Sequence, residues 1–335
     1  MKHWCVVVTQ YGGPEVLRVV EADRPEPKPG ELRVRVLAAG VSLPDVMMRE
    51  GIHPETPRLP FTPGWDLVGV LDSGRVVAAL PIQGAWAEFV CLPERELVPV
   101  PPGLDPAEAV SLVLNYVTAY QMLHRFAKVR PGQRVLVHGG AGGVGTALLQ
   151  LGRVAELELY ATCSARSARD VSALGATPID YGAQDFVREI RRLTGDGVDA
   201  VFDPLAGRHL WLSRRALAPG GTVVGYGVTT SLRGQGLNAD RPGRRQRFRG
   251  MGGFACSIAA SFLLPGRRRV LPYSIQWLKR LWPEAFRQDL GTLFELLREK
   301  KIQPLVARRF PLAGARQAQE LLERGGVTGK VVLVA

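Results

Sequence analysis

The strongest chemical signal in this 335-residue chain is a run of five glycines in seven residues, Gly139 to Gly145. An apolar strand-like segment, Arg134-Val135-Leu136-Val137-His138, runs straight into it, and a helical pattern leaves it. Gly140, Gly142 and Gly145 fit the spacing Gly-x-Gly-x-x-Gly. In that pattern the first glycine allows a tight turn, the second lets backbone approach a diphosphate, and the third lets the helix pack closely on the strand. A helix beginning at Gly143-Val144 also offers free N–H groups and its positive dipole end to phosphate. The chemistry implied is dinucleotide binding, with Gly140, Gly142, Gly143, Val144 and Gly145 as contacts.

The choice of dinucleotide turns on the end of the next strand. Sites for NAD usually place Asp or Glu there, to bind the ribose 2′-hydroxyl. Here the segment ends Ala161-Thr162-Cys163-Ser164-Ala165-Arg166, with no acid before Asp170. A hydroxyl at Ser164 followed by Arg166 and Arg169 suits a 2′-phosphate, because guanidinium binds phosphate as a fork. This points to NADPH. The competing account makes the two arginines solvated residues of a helix start. Tyr181, Gly225 and Gly227, at the ends of later strands, complete the expected cofactor contacts. His138 is expected to pack beside the glycine loop rather than act as a base.

These groups need a scaffold, and the rhythm of the chain supplies one. Residues 2–100 carry short β-branched runs (Cys5–Thr9, Leu32–Leu37, Arg75–Leu80) punctuated by Pro and Gly, the pattern of a small β-barrel. Asp105-Pro106 looks like an N-cap followed by proline at the first helical position. Beyond that helix, strands and helices alternate from Arg134 to Tyr226, which gives a parallel sheet covered on both faces. Pro283–Lys300 reads as an amphipathic helix, and Val306–Pro311 and Lys330–Val334 return to strand character. The expected organisation is an α/β chain. A barrel domain spans residues 1–118 and is completed by about 271–335, and a doubly wound Rossmann domain spans 119–270.

The formal charge is +12, with arginines clustered at Arg241–Arg249 and Arg267–Arg269. Such a surface suits anionic partners, but no helix-turn-helix, RNA-binding or zinc-finger pattern accompanies it, which disfavours nucleic acid. The apolar run Phe254–Leu264 is shorter than the roughly 20 residues needed to span a bilayer. Together with the arginines it suggests a weak contact with anionic membrane through 241–269. Cys5, Cys91, Cys163 and Cys256 form no Cys-x-x-Cys pair and are expected to be buried thiols in a reducing compartment. With no signal-peptide core at the start, the expected location is cytoplasmic.

Several stretches together resemble one family. They are Tyr11-Gly12-Gly13-Pro14-Glu15-Val16-Leu17, Ala39-Gly40-Val41-Ser42, Pro60-Phe61-Thr62-Pro63-Gly64-Trp65-Asp66, Asn115-Tyr116-Val117-Thr118-Ala119-Tyr120, His138 to Gly145, Leu174-Gly175-Ala176 and Thr328-Gly329-Lys330-Val331-Val332. Over nearly the whole chain they resemble the medium-chain dehydrogenase/reductase superfamily, in its zinc-free quinone oxidoreductase (zeta-crystallin-like) branch. The resemblance implies a GroES-like β-barrel substrate domain, a nicotinamide held between it and the Rossmann domain, and homodimers. It also implies hydride transfer from NADPH to a quinone or an α,β-unsaturated carbonyl. Zinc-using relatives place Cys at Ser42 and Gly-His-Glu at Gly64-Trp65-Asp66, so the ligands for a catalytic zinc are missing. Asp45, Asn115 and Thr118 are the polar groups expected to face the nicotinamide and substrate. Asp45 as a helix cap and Asn115 as a helix-packing residue are the alternatives. Met47 stands where relatives carry Tyr, which makes the expected pocket more apolar and questions quinone specificity. Two other functions fit the same pattern: a membrane-associated or ligand-binding homologue without catalysis, and a free-standing enoyl reductase.

Overall fold

The computed structural model describes residues 1–227 and 268–334. They fall into two units, one made of Met1–Val117, Glu284–Gly325 and Gly329–Ala335, the other of Thr118–Pro283 and Gly326–Thr328. The Arg241–Arg249 cluster, the Phe254–Leu264 run and Cys256 lie outside the described residues.

The first unit is mostly β because its apolar residues come in short β-branched runs that suit a pleated, half-buried surface. Strands β1 (Lys2–Val8) and β2 (Leu17–Asp23) form an antiparallel hairpin in register from Lys2↔Asp23 to Val8↔Leu17. Strand β3 (Glu31–Val41) is eleven residues long and organises a seven-stranded sheet. A short helix, α1 (Leu43–Arg49), follows it and interrupts the expected all-β run. Next come β4 (Leu67–Leu71), β5 (Val76–Ala79), β6 (Phe89–Pro93) and β7 (Val98–Pro99). Strand β3 pairs with β4 on one edge and with β6 through Glu31–Arg35 on the other.

A single helical run then carries the chain from Pro106 to Ala127. It starts as α2 (Pro106–Ser111), where the Asp105 carboxylate accepts from the Ala107 and Glu108 amides, as an N-cap should. It widens to i→i+5 bonding over Leu112–Tyr116, tightens again in α3 (Val117–Tyr120), and widens once more over Gln121–Ala127. Lys128, at φ 53, ends it.

The second unit is a six-stranded, all-parallel sheet. Its members are β8 (Arg134–His138), α4 (Gly143–Val154), β9 (Glu158–Cys163), α5 (Ala168–Ala173), β10 (Ala176–Asp180) and α6 (Phe186–Thr194). These are followed by β11 (Val198–Asp203), α7 (Arg208–Ala216), β12 (Leu217–Gly225), β13 (Arg269–Pro272) and α8 (Ile275–Leu281). The strand order β10-β9-β8-β11-β12-β13 is the Rossmann order, with its switch point between β8 and β11. Leu136, Ile179, Ile190, Val201 and Val223 belong to the core under this sheet. The middle strands β8 and β11 are apolar and buried through most of their length because both faces are covered.

The chain returns to the first unit at Glu284, later than the expected 271. The reason is that β13 adds to β12 in parallel register, from Thr222↔Arg269 to Gly225↔Pro272, and so belongs to the Rossmann sheet. Helix α9 (Pro283–Arg298), strand β14 (Val306–Pro311), helix α10 (Ala315–Arg324) and strand β15 (Lys330–Val334) follow. Strand β15 closes onto β3 through Val331↔Val41 to Val334↔Ala38. Among the described residues no helix is long and apolar enough to cross a membrane. Cys5 and Cys163 are buried as expected, while Cys91 is only half-buried.

Candidate active site

At the carboxyl edge of the parallel sheet, β8 passes into α4 through the glycine run. The positive φ of the turn falls on Gly139 (φ +69) rather than on Gly140. Gly140 is needed for a different reason: a Cβ there would lie 2.7 Å from the Ala161 Cβ on the neighbouring strand. At Gly145 a Cβ would stand 2.1 Å from the Gly139 carbonyl oxygen, so only glycine lets α4 start this close to the strand. The space before Gly142 is open apart from that same carbonyl at 3.3 Å. Gly142 is the N-cap of α4 and no side chain caps the helix, which leaves its first amides, at Gly143, Val144 and Gly145, for a ligand. This cradle fits a dinucleotide diphosphate.

The other expected cofactor residues gather at the same sheet edge. Ser164 opens the short turn after β9, with its hydroxyl 3.4 Å from that of Ser167. Arg166 is exposed, and among the described residues no ion pair is recorded for it. Asp170, the first acid after the strand, accepts from the Thr328 hydroxyl at 2.5 Å. Tyr181 follows β10, is 64% exposed, and donates its amide to the Cys163 carbonyl. Gly225 ends β12, and Gly227 lies against the loop after β11, where a Cβ would meet the Pro204 oxygen at 2.2 Å.

In the first unit the structure corrects one assignment. Asp45 is fully buried: one oxygen accepts from the Ser42 amide (2.9 Å) and hydroxyl (2.5 Å), the other from the Gly64 amide (3.0 Å). Asp45 therefore holds α1 and the Gly64 loop in place, as the helix-cap alternative has it, with neither oxygen open to solvent. Burial raises its carboxyl to about 7, with the Ser42 hydrogen bond opposing the rise. Next to it, Lys330 pairs with Asp66 at 2.8 Å in full burial. That pair fits only because Gly40 has no side chain; a Cβ would meet the Asp66 Oδ1 at 2.1 Å. Asn115, in the first unit, and Thr118, the first residue of the second, are each buried at 5%, and Asn115 lies in the widened turn Leu112–Tyr116, a helix defect that recurs at functional sites. Met47 is buried at 6%.

The donor set at Ser42, Trp65 and Asp66 does not fit zinc. Ser42 donates to Asp45, an indole offers only an N–H, and Asp66 is committed to Lys330. A separate cluster was missed by sequence reasoning. His138, Asp203 and His209, in the second unit, bring potential ligand atoms within 4.8 Å of one another. Its sequence signals were slight: the lone acid Asp203 closing the apolar strand β11, and His138, expected only to pack beside the glycine loop.

Comparison with known proteins agrees with this architecture. Residues 28–102 match the family model for an alcohol dehydrogenase GroES-like domain, and residues 174–333 match a zinc-binding dehydrogenase model. The synaptic vesicle membrane protein VAT-1 homolog of Mus musculus is 34% identical over 346 residues, covering 98% of this chain and 83% of that protein. The quinone oxidoreductase of Thermus thermophilus, solved alone and with NADPH, superposes with a TM-score of 0.78 at 33% identity, covering 99% of this chain and 100% of that one. The chain is a medium-chain dehydrogenase/reductase of the zinc-free quinone oxidoreductase branch. The human VAT-1 homolog-like protein shares the fold at a TM-score of 0.81 and 28% identity, across 100% of this chain and 98% of that one. As a medium-chain dehydrogenase/reductase the protein belongs to a family of oxidoreductases whose Rossmann unit takes a nicotinamide cofactor.

Proposed function

We propose that this protein is an NADPH-dependent, zinc-independent reductase that delivers hydride to a quinone or an α,β-unsaturated carbonyl. The observation that carries the proposal is the uncapped start of α4 behind Gly140–Gly145, combined with an acid-free end of β9 at Ser164 and Arg166. The α4 amides hold the diphosphate, and the Arg166 guanidinium and Ser164 hydroxyl hold the 2′-phosphate. When bound, the reduced nicotinamide supplies the hydride. Asn115 and Thr118 donate to the substrate carbonyl, Asp45 keeps Ser42 and Gly64 in position, and solvent returns the proton. Met47 in place of a phenol favours enones and enals over quinones that need a second donor.

Beside the glycine loop His138, Cys163 and Asp203 are buried, burial keeps the imidazole and the thiol neutral, and the carboxylate is taken up by its hydrogen bonds, so the chemistry asked of the protein is positioning and exclusion of water. Among the described residues β13 is the last strand on its side of the sheet, and the exposed Trp277, Leu281 and Trp282 follow it in the chain; both support a homodimer joined at this edge. A cytoplasmic setting completes the proposal. Stopped-flow absorbance of reduced nicotinamide tests the activity directly. NADPH should be consumed with menadione-like quinones or 2-alkenals. Absence of NADPH binding together with absence of turnover on both classes refutes it. Light scattering checks the dimer.

A further inference from the structure

The second unit buries a polar chain that dinucleotide binding does not by itself require. Asp203, the last residue of β11, accepts from the Ser213 hydroxyl of α7 at 2.7 Å. Ser213 lies 3.1 Å from Nε2 of His138, the last residue of β8. His138 Nδ1 lies 3.0 Å from the Thr162 hydroxyl on β9, which accepts the Gly139 amide at 3.2 Å. Strands β8 and β11 flank the switch point, so the chain spans the place where the dinucleotide sits. His138, Thr162, Asp203 and Ser213 are all buried.

The directions of these bonds follow from one charge. Asp203 Oδ1 accepts the Leu205 and Ala206 amides, and Oδ2 accepts from Ser213 and lies 2.9 Å from His209 Nδ1, so this carboxylate is ringed by donors and only accepts. Ser213 must then donate to Asp203 and accept from His138. Burial holds the His138 imidazole down to about 3, so it is neutral and carries one proton. With that proton on Nε2, Nδ1 is an acceptor and Thr162 must donate to it. The Thr162 oxygen is then left to receive the Gly139 N–H. We infer that Asp203, Ser213, His138 and Thr162 form a directed relay whose far end fixes the Gly139 amide and so positions the glycine loop for the diphosphate. Its role in binding rests on the NADPH proposal above.

The relay has a specific lever in Asp203→Asn. Oδ1 of Asp203 accepts the Leu205 and Ala206 amides at 2.7 and 3.2 Å, so the amide oxygen must take that side. The new NH2 then faces both Ser213 and His209 Nδ1, and its donation to Ser213 reverses every bond from there down to Thr162. Long-range ¹⁵N–¹H NMR of histidine-labelled full-length protein reads the tautomer. The wild type should show His138 protonated at Nε2, and D203N should show it at Nδ1. T162V, which removes the far end and leaves the Asp203–Ser213–His138 bonds in place, should raise the NADPH Kd about 3- to 10-fold, from loss of the hydrogen bond to the Gly139 amide. T162S should restore wild-type affinity. A wild-type Nδ1–H tautomer, an unchanged tautomer in folded D203N, or T162V binding NADPH like the wild type overturns the relay. So does stoichiometric Zn²⁺ uptake that shifts the His138 and His209 signals together, which would make the cluster a metal site. A wild type that binds no NADPH refutes the cofactor proposal instead, and the tautomer then decides the relay alone.

Discussion

Burying a neutral histidine at the switch point has a cost that acid conditions should expose. His138 is 1% exposed, and burial lowers its imidazole from 6.5 to about 3. The unfolded chain therefore takes up a proton near pH 6.5 that the folded chain refuses until about pH 3. For a lowered histidine, this stability is fully present above the unfolded value and is lost as pH falls toward the folded one. Each pH step of one over which the two states differ by a full proton is worth about 1.36 kcal/mol. Going from about pH 8 to about pH 4 therefore removes roughly 3 kcal/mol through this residue alone. His138→Gln keeps a donor toward Ser213 and has nothing to titrate. Near neutrality the variant should be less stable by about 1–3 kcal/mol, from imperfect hydrogen bonding in a buried site. Urea unfolding at several pH values should show that deficit shrink by roughly 3 kcal/mol toward about pH 4, and the two proteins should converge or cross. Parallel stability curves across the whole range would refute the burial argument, because both proteins would then be carrying the same protons.

Four further outcomes follow from particular contacts. Gly145→Ala drives a Cβ to within 2.1 Å of the Gly139 oxygen, and should cost about 1–3 kcal/mol of stability and abolish NADPH binding, read by thermal melts and fluorescence titration. Arg166→Ala should weaken NADPH about 10- to 100-fold, as for a charged hydrogen bond, and leave NADH nearly untouched; equal losses for both would remove Arg166 from the 2′-phosphate site. Lys330→Met strands the buried Asp66 carboxylate, so unfolding free energy should fall by about 3–5 kcal/mol, with much of it recovered when Asp66→Asn is added. Asp45, raised from 3.8 to about 7, stabilises the fold below the lower value and loses that contribution as pH rises through the upper one. Asp45→Asn should accordingly flatten the decline of stability between about pH 4 and about pH 8.

What the amino-acid order alone decided here is the part governed by local rules. Glycine spacing after an apolar strand announces a phosphate turn, because few other residues tolerate such close backbone approach, and strand–helix alternation announces a parallel sheet. The N-cap at Asp105-Pro106, the boundaries of α4 and the strand Lys330–Val334 were all legible on those grounds. Missing zinc ligands could be noticed only because the family's positions could be matched one by one. The tertiary structure decided which polar groups are free. Asp45 looked like a group for the substrate, yet the fold returns Gly64 to its second oxygen and commits it to the loop. Asp203, Ser213, Thr162 and His138 are far apart in the chain and carry no joint signal, since their hydrogen bonds form only once β8, β9 and β11 lie side by side. The tight turn was assigned to Gly140, whereas the positive φ falls on Gly139 and Gly140 is required by a close approach, because spacing cannot separate a dihedral constraint from a steric one. Only the position of Ala161 on the adjacent strand distinguishes them.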